Sequence, residues 1–263
     1  MEDAADEPEV ALPGGMGSGG AVVRIGATVR RPIREWSDSV DAFLDHLAAV
    51  GFEGAPRRIG LDAKGREVLT YVEGDVAVPP FPSWAASEDL LISVAELQRG
   101  MHEASRSFTV PPDAIWQQAN LPPPAPDAIV CHNDLCIENV VTRDGRAVAF
   151  IDFDFAAPAD PLIDIAIAAR HWVPVRDPID LDPGWAGIDQ VARMAAFLDA
   201  HELDATARAR VARELGDFLD RALVSMRERA EAGLPMYAAA WASGYPDQNR
   251  RSRTWLDAHA SQW

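Results

Sequence analysis

Three polar side chains, Asp134, Asn139 and Asp152, lie at the borders of apolar runs and have the types needed for metal-assisted chemistry. The two apolar runs after Asn139 are separated by Asp144-Gly145, a strong signal for the turn of a β-hairpin. Such a hairpin would bring Asn139 next to Asp152, with Asp134 a short loop away. Two carboxylates and an amide form an oxygen-rich set that suits Mg²⁺, which keeps coordination positions for substrate phosphates. The spacing therefore predicts a magnesium-dependent site for phosphoryl transfer.

A known catalytic motif has the same residue types at the same spacing. Residues 132–139, HNDLCIEN, match the kinase loop H-R-D-L-x-x-x-N at every specified position except the arginine, which Asn133 replaces. Residues 151–154, IDFD, stand where kinases have D-F-G. A loop without the arginine, followed by I-D-F-D, resembles the aminoglycoside phosphotransferase and choline kinase-like family of small-molecule kinases.

The resemblance implies a fold and a set of roles. The fold would be the α+β, bilobal protein-kinase-like fold, with a small antiparallel-sheet N-lobe containing one main helix and a larger, mostly helical C-lobe carrying the catalytic β-hairpin. Asp134 would be the catalytic aspartate that orients the acceptor hydroxyl. Asn139 and Asp152 would bind Mg²⁺, with ATP or GTP as co-substrate. His132 would support the loop, and Asp164, at a helix start, would brace it by accepting its backbone hydrogen bonds.

The N-terminal part of the chain has a candidate nucleotide-binding loop. Residues 15–22, GMGSGGAV, fit G-x-G-x-x-G-x-V, whose glycines let backbone amides approach nucleotide phosphates. The loop precedes a strand, which argues against a Rossmann loop, while a flexible glycine linker remains an alternative. The nucleotide-binding residues predicted here are Gly15, Gly17, Ser18, Gly20, Arg31, Thr70 and Val72.

The resemblance also implies a strand lysine on the nucleotide phosphates, and the predicted hairpin contains only arginines. Alternation along the strand puts Arg31 on the same face as Val29, and that face would line the nucleotide pocket. Arg31 is therefore the candidate replacement for the lysine. Arginine can bind phosphate bidentately but differs from lysine in bulk and shape. The glutamate expected to pair with this cation is missing from the next helix, where Asp41 or Asp45 would have to substitute.

The periodicity of the remaining sequence predicts the elements that position these residues. They are a hairpin around Gly26-Ala27, a helix from Ser37 to Gly51, two strands within 56–61 and 67–72, and long helices from Ser87, over 189–200 and over 205–231. The predicted organisation is a disordered tail (1–8), a nucleotide-binding N-lobe (9–76) and a helical C-lobe (77–263) with the catalytic loop and acceptor site.

Three further aspartates, Asp154, Asp177 and Asp180, follow or end the catalytic hairpin, where the resembled family builds its acceptor site. Acids in that place would suit a small cationic acceptor such as an aminoglycoside, and they are equally well explained as solvated loop charges. The net charge of −17 favours cationic small molecules as partners and disfavours nucleic acid and anionic membranes.

The rest of the composition narrows the class of protein. Cys131 and Cys136 are too few for a disulfide framework and indicate reduced thiols, and no apolar run is long enough to span a bilayer, so a cytoplasmic protein is expected. The leading hypothesis is an antibiotic-modifying phosphotransferase. The alternatives are a kinase of an amino alcohol or sugar derivative and a non-catalytic, kinase-like binding or immunity protein. A metal-dependent hydrolase would need more histidine ligands than this region contains.

Overall fold

The computed structural model describes residues 8–12, 22–117 and 121–263. The predicted glycine-rich loop, with Gly15, Gly17, Ser18 and Gly20, lies outside the described residues, as does the predicted tail up to residue 7.

An antiparallel sheet begins the described chain. Its strands are β1 (Val10–Ala11), β2 (Val23–Ile25), β3 (Thr28–Arg31), β4 (Arg58–Leu61) and β5 (Glu67–Thr70), in the spatial order β1-β2-β3-β5-β4. Helix α1 (Ser37–Ala49) follows β3, and its apolar face of Val40, Phe43, Leu44 and Leu47 is buried. Burial of that stripe fixes the helix, since an isolated helix of this length is marginal in water.

Helices dominate the remainder of the described chain, together with two short strand pairs. The helices are α2 (Glu88–Ser105), α3 (Pro161–Trp172), α4 (Gln190–Ala200), α5 (Ala205–Glu231), α6 (Pro235–Ala242) and α7 (Tyr245–His259). The strands are β6 (Ile129–Cys131) with β9 (Ala157–Ala159), and β7 (Val140–Arg143) with β8 (Arg146–Phe150). No helix among the described residues is long and apolar enough to cross a membrane.

The β7–β8 hairpin is held from two sides. The amide of Phe150 donates to the carbonyl of Gly54 (2.9 Å), and the amide of Ala147 donates to the Ser93 hydroxyl of α2 (2.9 Å). The chain leaving the five-stranded sheet also docks on it, because Asp75 and Thr142 exchange two backbone hydrogen bonds of 2.8 Å. These contacts fix the position of the hairpin relative to both the sheet and α2.

The α+β fold with an antiparallel sheet, a main helix beside it and a helical remainder is the predicted one. The ends of α4 and α5 lie within a residue or two of the predicted ends. The sequence did not predict α6, α7 or the pairing of β6 with β9. The division after residue 76 stays a prediction.

Candidate active site

The β7–β8 hairpin brings Asn139 and Asp152 together as its sequence predicts. Val140 pairs with Phe150 in the ladder, and the amide of Ile151 donates to the carbonyl of Asn139 (2.9 Å). Asn139 therefore lies opposite Ile151, one residue before Asp152, at the open end of the hairpin.

Asp134 is tied to the same end by the Asn139 side chain. The Asn139 amide nitrogen donates to the Asp134 backbone carbonyl (2.8 Å) and to its carboxylate Oδ2 (3.1 Å). The Cys136 amide donates to the same carbonyl (2.8 Å). Asn139 thus holds the Asp134 carboxylate in a set orientation and keeps its own side-chain oxygen free of that contact.

Asp164, fully buried near the start of α3, braces this loop in the predicted manner. Its carboxylate accepts a hydrogen bond from the backbone amide of Asn133 (2.6 Å) and others from Gln98 (2.8 Å) and the His102 ring (2.7 Å). Burial raises the pKa of Asp164, but the hydrogen bonds from His102 and Gln98 and the nearby His102 charge outweigh burial and hold that pKa below its ordinary value. The brace is therefore an ionised carboxylate with its hydrogen bonds made inside the protein.

Asn133 has a role that the sequence did not reveal. It stands where kinases have arginine, its φ is 62°, and its side-chain amide donates to the carbonyls of Cys131 (3.2 Å), Phe155 (3.2 Å) and Ala157 (3.1 Å). Asparagine tolerates this left-handed backbone better than most residues, which is the one signal that could have identified it. Asn133 joins the catalytic loop to the segment after Asp152.

His132 is fully buried and lies under the loop. Its Nε2 is 3.0 Å from the carbonyl of Ile151, and its ring centroid is 4.6 Å from that of Phe153. Burial lowers the pKa of His132, with the Asp164 charge opposing this, so the ring is neutral at pH 7. A neutral, buried ring fits the predicted supporting role.

A second group of potential metal ligands lies behind the loop. His102, Cys131 and Asp164 place one ligand atom each within 4.8 Å of one another, and all three are buried. His102 and Asp164 are already bonded to each other, and burial raises the pKa of the Cys131 thiol well above its ordinary value. A metal would require the thiolate, so this group is structural.

The carboxylates at the end of the hairpin repel one another. Burial raises the pKa of Asp134 to about 7, with a further contribution from the charge of Asp152. Burial and the charge of Asp154 raise the pKa of Asp152, and Arg31 opposes them. Asp152 also has a left-handed backbone, with φ 62°, a conformation that costs about 1 kcal/mol or more and clusters at functional sites.

These properties fit a divalent cation. Asp134, Asn139 and Asp152 offer hard oxygen donors, and the charges of the half-buried Asp134 and the exposed Asp152 repel each other. A bound Mg²⁺ would relieve this repulsion, and Asn139 and Asp152 are the residues that would hold it.

Arg31 has partners that differ from those expected. Its Nε donates to Glu67 Oε2 (2.5 Å) and its Nη1 donates to Asp154 Oδ1 (2.7 Å), whereas its Nη2 is buried and has no partner. Glu67 lies directly opposite Arg31 in the ladder between β3 and β5, so the register of the sheet supplies the acid. The expectation that Asp41 or Asp45 of α1 would pair with Arg31 is corrected, since both contact Arg58, at 2.5 and 3.9 Å.

The remaining predicted residues are placed as follows. Asp154 binds Arg31, Asp177 caps a short helical turn through the amide of Ile179 (3.0 Å), and Asp180 forms a bidentate pair with Arg251 (2.6 and 2.7 Å). The Thr70 hydroxyl accepts a hydrogen bond from the amide of Arg57 (2.8 Å). The carboxylates of Asp177 and Asp180 are thus engaged within the protein, and acceptor binding by them stays a prediction.

The fold resembles that of small-molecule kinases with a protein-kinase-like fold. The phosphotransferase enzyme family matches residues 106–197, which include the catalytic loop and the hairpin. A choline/ethanolamine kinase family protein from Mesorhizobium loti has a similar structure, with a TM-score of 0.64 at 15% identity over 98% of this chain and 92% of that one. Amicoumacin kinase hAmiN, solved with AMP-PNP, Ca²⁺ and Ami, gives 0.58 at 13% identity over 84% and 80% of the two chains.

These matches confirm the resemblance to the aminoglycoside phosphotransferase and choline kinase-like family that the catalytic motifs predict. In sequence, the chain is also similar to the trifolitoxin immunity protein of Rhizobium leguminosarum bv. trifolii, at 29% identity over 272 residues and 95% of each chain.

Proposed function

We propose that this protein is a magnesium-dependent phosphotransferase that moves the γ-phosphate of ATP or GTP to a hydroxyl group of a small molecule. The observation that carries the proposal is the convergence of Asp134, Asn139 and Asp152 at one end of a hairpin braced by Asp164. Phosphoryl transfer needs mainly in-line positioning and charge stabilisation, which this arrangement can supply without a covalent intermediate.

Each residue has a definite task in this proposal. The Asp134 carboxylate accepts the hydrogen bond of the acceptor hydroxyl and takes its proton as the bond to phosphorus forms, and its raised pKa makes it a better base than an exposed aspartate. Asn139 holds Asp134 in line through its amide nitrogen. Magnesium, when bound, neutralises charge on the transferred phosphoryl group. The buried Nη2 of Arg31 is the cationic donor for the nucleotide phosphates.

The acceptor belongs to the chemistry of small hydroxylated molecules. An aminoglycoside or related antibiotic is the leading candidate from the catalytic motifs, and a hydroxylated amino alcohol or sugar derivative is the alternative. The nucleotide analogue and divalent cation bound to amicoumacin kinase support a nucleotide and a metal for this chain as well. The prediction of a cationic acceptor rests on a set of acidic residues, and one of them, Asp180, already pairs with Arg251.

A second candidate function is binding without catalysis, as in a protein that confers immunity by sequestering a toxic compound. The similarity to the trifolitoxin immunity protein favours it, and so does Arg31 in place of the strand lysine that the resemblance implies. The intact group of Asp134, Asn139 and Asp152 favours catalysis instead.

Nucleoside-diphosphate release over a panel of hydroxylated antibiotics, amino alcohols and sugar derivatives tests the choice. We expect at least one acceptor to stimulate release, and Asp134→Asn to lower that rate by about 10²- to 10⁴-fold, the usual contribution of a positioned base. Asp144→Asn is the matched control, because Asp144 is an exposed turn residue with φ 52° that asparagine can adopt. Nucleotide binding without any stimulated release would favour the non-catalytic candidate, and Asp134→Asn at the control rate would refute the catalytic role.

A further inference from the structure

Three basic side chains at the end of α3 have no acidic partner. Arg170 and His171 lie in the last turn of α3, and Arg176 follows in the loop. The chain has 41 acidic against 24 basic residues, yet no described carboxylate forms an ion pair with any of these three. An unpaired basic cluster in so acidic a protein calls for an explanation.

Arg170 is the centre of the cluster. Its Nε atom is buried and has no hydrogen-bond partner, and its guanidinium carbon is 6.0 Å from the centroid of the Phe218 ring of α5. Tyr245, the first residue of α7, raises the pKa of Arg170 and so opposes the effect of burial. The guanidinium therefore lies between α3 and α5, with an aromatic ring on one side and a donor left over.

The three bases also act on one another. Burial lowers the pKa of Arg170, and the charge of Arg176 lowers it further. Burial lowers the pKa of His171 well below its ordinary value, with contributions from Arg170 and Arg176, so His171 is neutral and each of its ring nitrogens can serve only one role. Like charges that lie close together in a partly buried site destabilise the fold unless a bound anion neutralises them.

The end of a helix does not by itself account for the cluster. Cations near a helix C-terminus gain about 0.3–1 kcal/mol from the helix dipole. Leaving a buried donor unsatisfied costs about 1–3 kcal/mol, and more for a charged group. Arg251 and Arg210 pair with the carboxylates of Asp180 and Asp160. Arg170 has no such ion pair among the described residues, and its buried Nε has no hydrogen-bond partner.

Helix α3 ties the cluster to the catalytic loop. At its start Asp164 binds the amide of Asn133, and at its end the Trp172 indole donates to the carbonyl of Leu135 (3.1 Å), the residue after Asp134. Helix α3 therefore contacts the loop that carries Asp134 near both of its ends.

We propose that Arg170, His171 and Arg176 bind an anionic group, a carboxylate or a phosphate, of the acceptor molecule. The two guanidinium groups supply the charge and paired donors, the neutral imidazole supplies one more N–H, and Phe218 and Tyr245 contact the apolar body beside the anion. The inference rests on the proposed function and makes the acceptor an acidic or zwitterionic hydroxylated compound, in contrast to the cationic one that the acids of the sequence suggested.

Arginine Nε–Hε resonances measure the anion site directly and without turnover. Acetate and inorganic phosphate are the probes, titrated in separate arms into the full chain. We expect saturable shifts of the Arg170 and Arg176 Nε–Hε signals with at least one of the two probes. In Arg170→Gln the Arg176 signal should no longer shift, and in Arg176→Gln the Arg170 signal should no longer shift. Arg227→Gln is the matched control, because Arg227 is exposed on α5 and carries the same charge. No saturable shift with either probe, or equal binding by Arg170→Gln, would overturn the proposal.

Turnover separates this inference from the proposed function. Among hydroxylated compounds offered in matched carboxylate and carboxamide forms, the carboxylate form should have the lower KM. Arg170→Gln should raise its KM about 10- to 100-fold with little change in kcat, and leave the carboxamide unchanged. If the protein binds the anion but no acceptor stimulates nucleoside-diphosphate release, the proposed function is refuted and the anion site stands. If Arg170→Gln leaves acceptor-stimulated release unaltered, the role of the cluster in acceptor binding is refuted and the kinase function stands. Because substitution of Arg170 could disturb α3, Arg176→Gln, in the loop after the helix, must show the same pattern.

Discussion

Replacement of Asp164 by alanine should destabilise the whole protein. The side chain is fully buried and accepts hydrogen bonds from the Asn133 amide, Gln98 and His102 at 2.6 to 2.8 Å. Alanine leaves a cavity and three buried donors without an acceptor. Removing one partner of a buried charged network costs about 3–5 kcal/mol.

That free energy corresponds to a measurable shift in melting temperature. The unfolding entropy of globular proteins, about 2.1 cal/mol/K per residue, gives about 0.55 kcal/mol/K for 263 residues. The melting temperature of Asp164→Ala should therefore fall by about 5–9 °C, measured by calorimetry or circular dichroism at pH 7. A matched carboxylate removal is Asp189→Ala, because Asp189 is exposed and caps α4 through one hydrogen bond to Ala192.

The cap variant should lose only about 1 kcal/mol, or about 2 °C. A shift for Asp164→Ala no larger than that of Asp189→Ala would show that the brace is not a stability element. The depressed pKa of Asp164 also predicts the direction in which its stabilising contribution changes with pH. Its contribution is present above the unfolded pKa of about 3.9 and is lost as the pH falls towards the folded pKa, so the two melting curves should converge only in strong acid.

Three further predictions concern other parts of the molecule. Arg31→Met should weaken nucleotide binding in a titration and destabilise the fold by about 3–5 kcal/mol, because two carboxylates lose their cation, and Arg31→Lys should recover part of both. Burial lowers the pKa of His201 to about 3, so only the unfolded state takes up a proton at this residue as the pH falls below about 6.5. The free energy of unfolding in urea therefore falls between pH 7 and pH 5, and His201→Gln should reduce that fall by up to about 2 kcal/mol. An unchanged dependence of the unfolding free energy on pH would contradict this. Gly74→Ala should lower the melting temperature more than Gly60→Ala. Both glycines have φ near 150°, but only at Gly74 would the new Cβ meet a backbone atom, the Thr142 carbonyl oxygen, at 2.5 Å. Equal losses of melting temperature would rule out the clash.

Local patterns were sufficient for much of the fold and for the centre of the site. Helices α4 and α5 have amphipathic stripes and aspartate caps, so periodicity predicts their ends to within a residue or two. The Asp144-Gly145 turn predicts the β7–β8 hairpin, and the hairpin register brings Asn139 to Asp152. Helices α6 and α7 escaped prediction because α6 is apolar without a buried face and α7 is largely polar, and neither has a clear apolar stripe.

The sequence by itself therefore determined that Asp134, Asn139 and Asp152, the candidate catalytic group, come together, since all three lie within residues 134–152, where spacing along the chain translates into spacing in a hairpin. Only the tertiary structure decided which charges meet. Arg31 finds Glu67, 36 residues away, and Asp154, 123 residues away, while Asp164 finds His102 across 62 residues. Such pairings depend on strand register and helix packing, which no local pattern specifies. For the same reason the acids expected to bind a cationic acceptor found partners elsewhere, and the basic cluster at Arg170 remained unpaired.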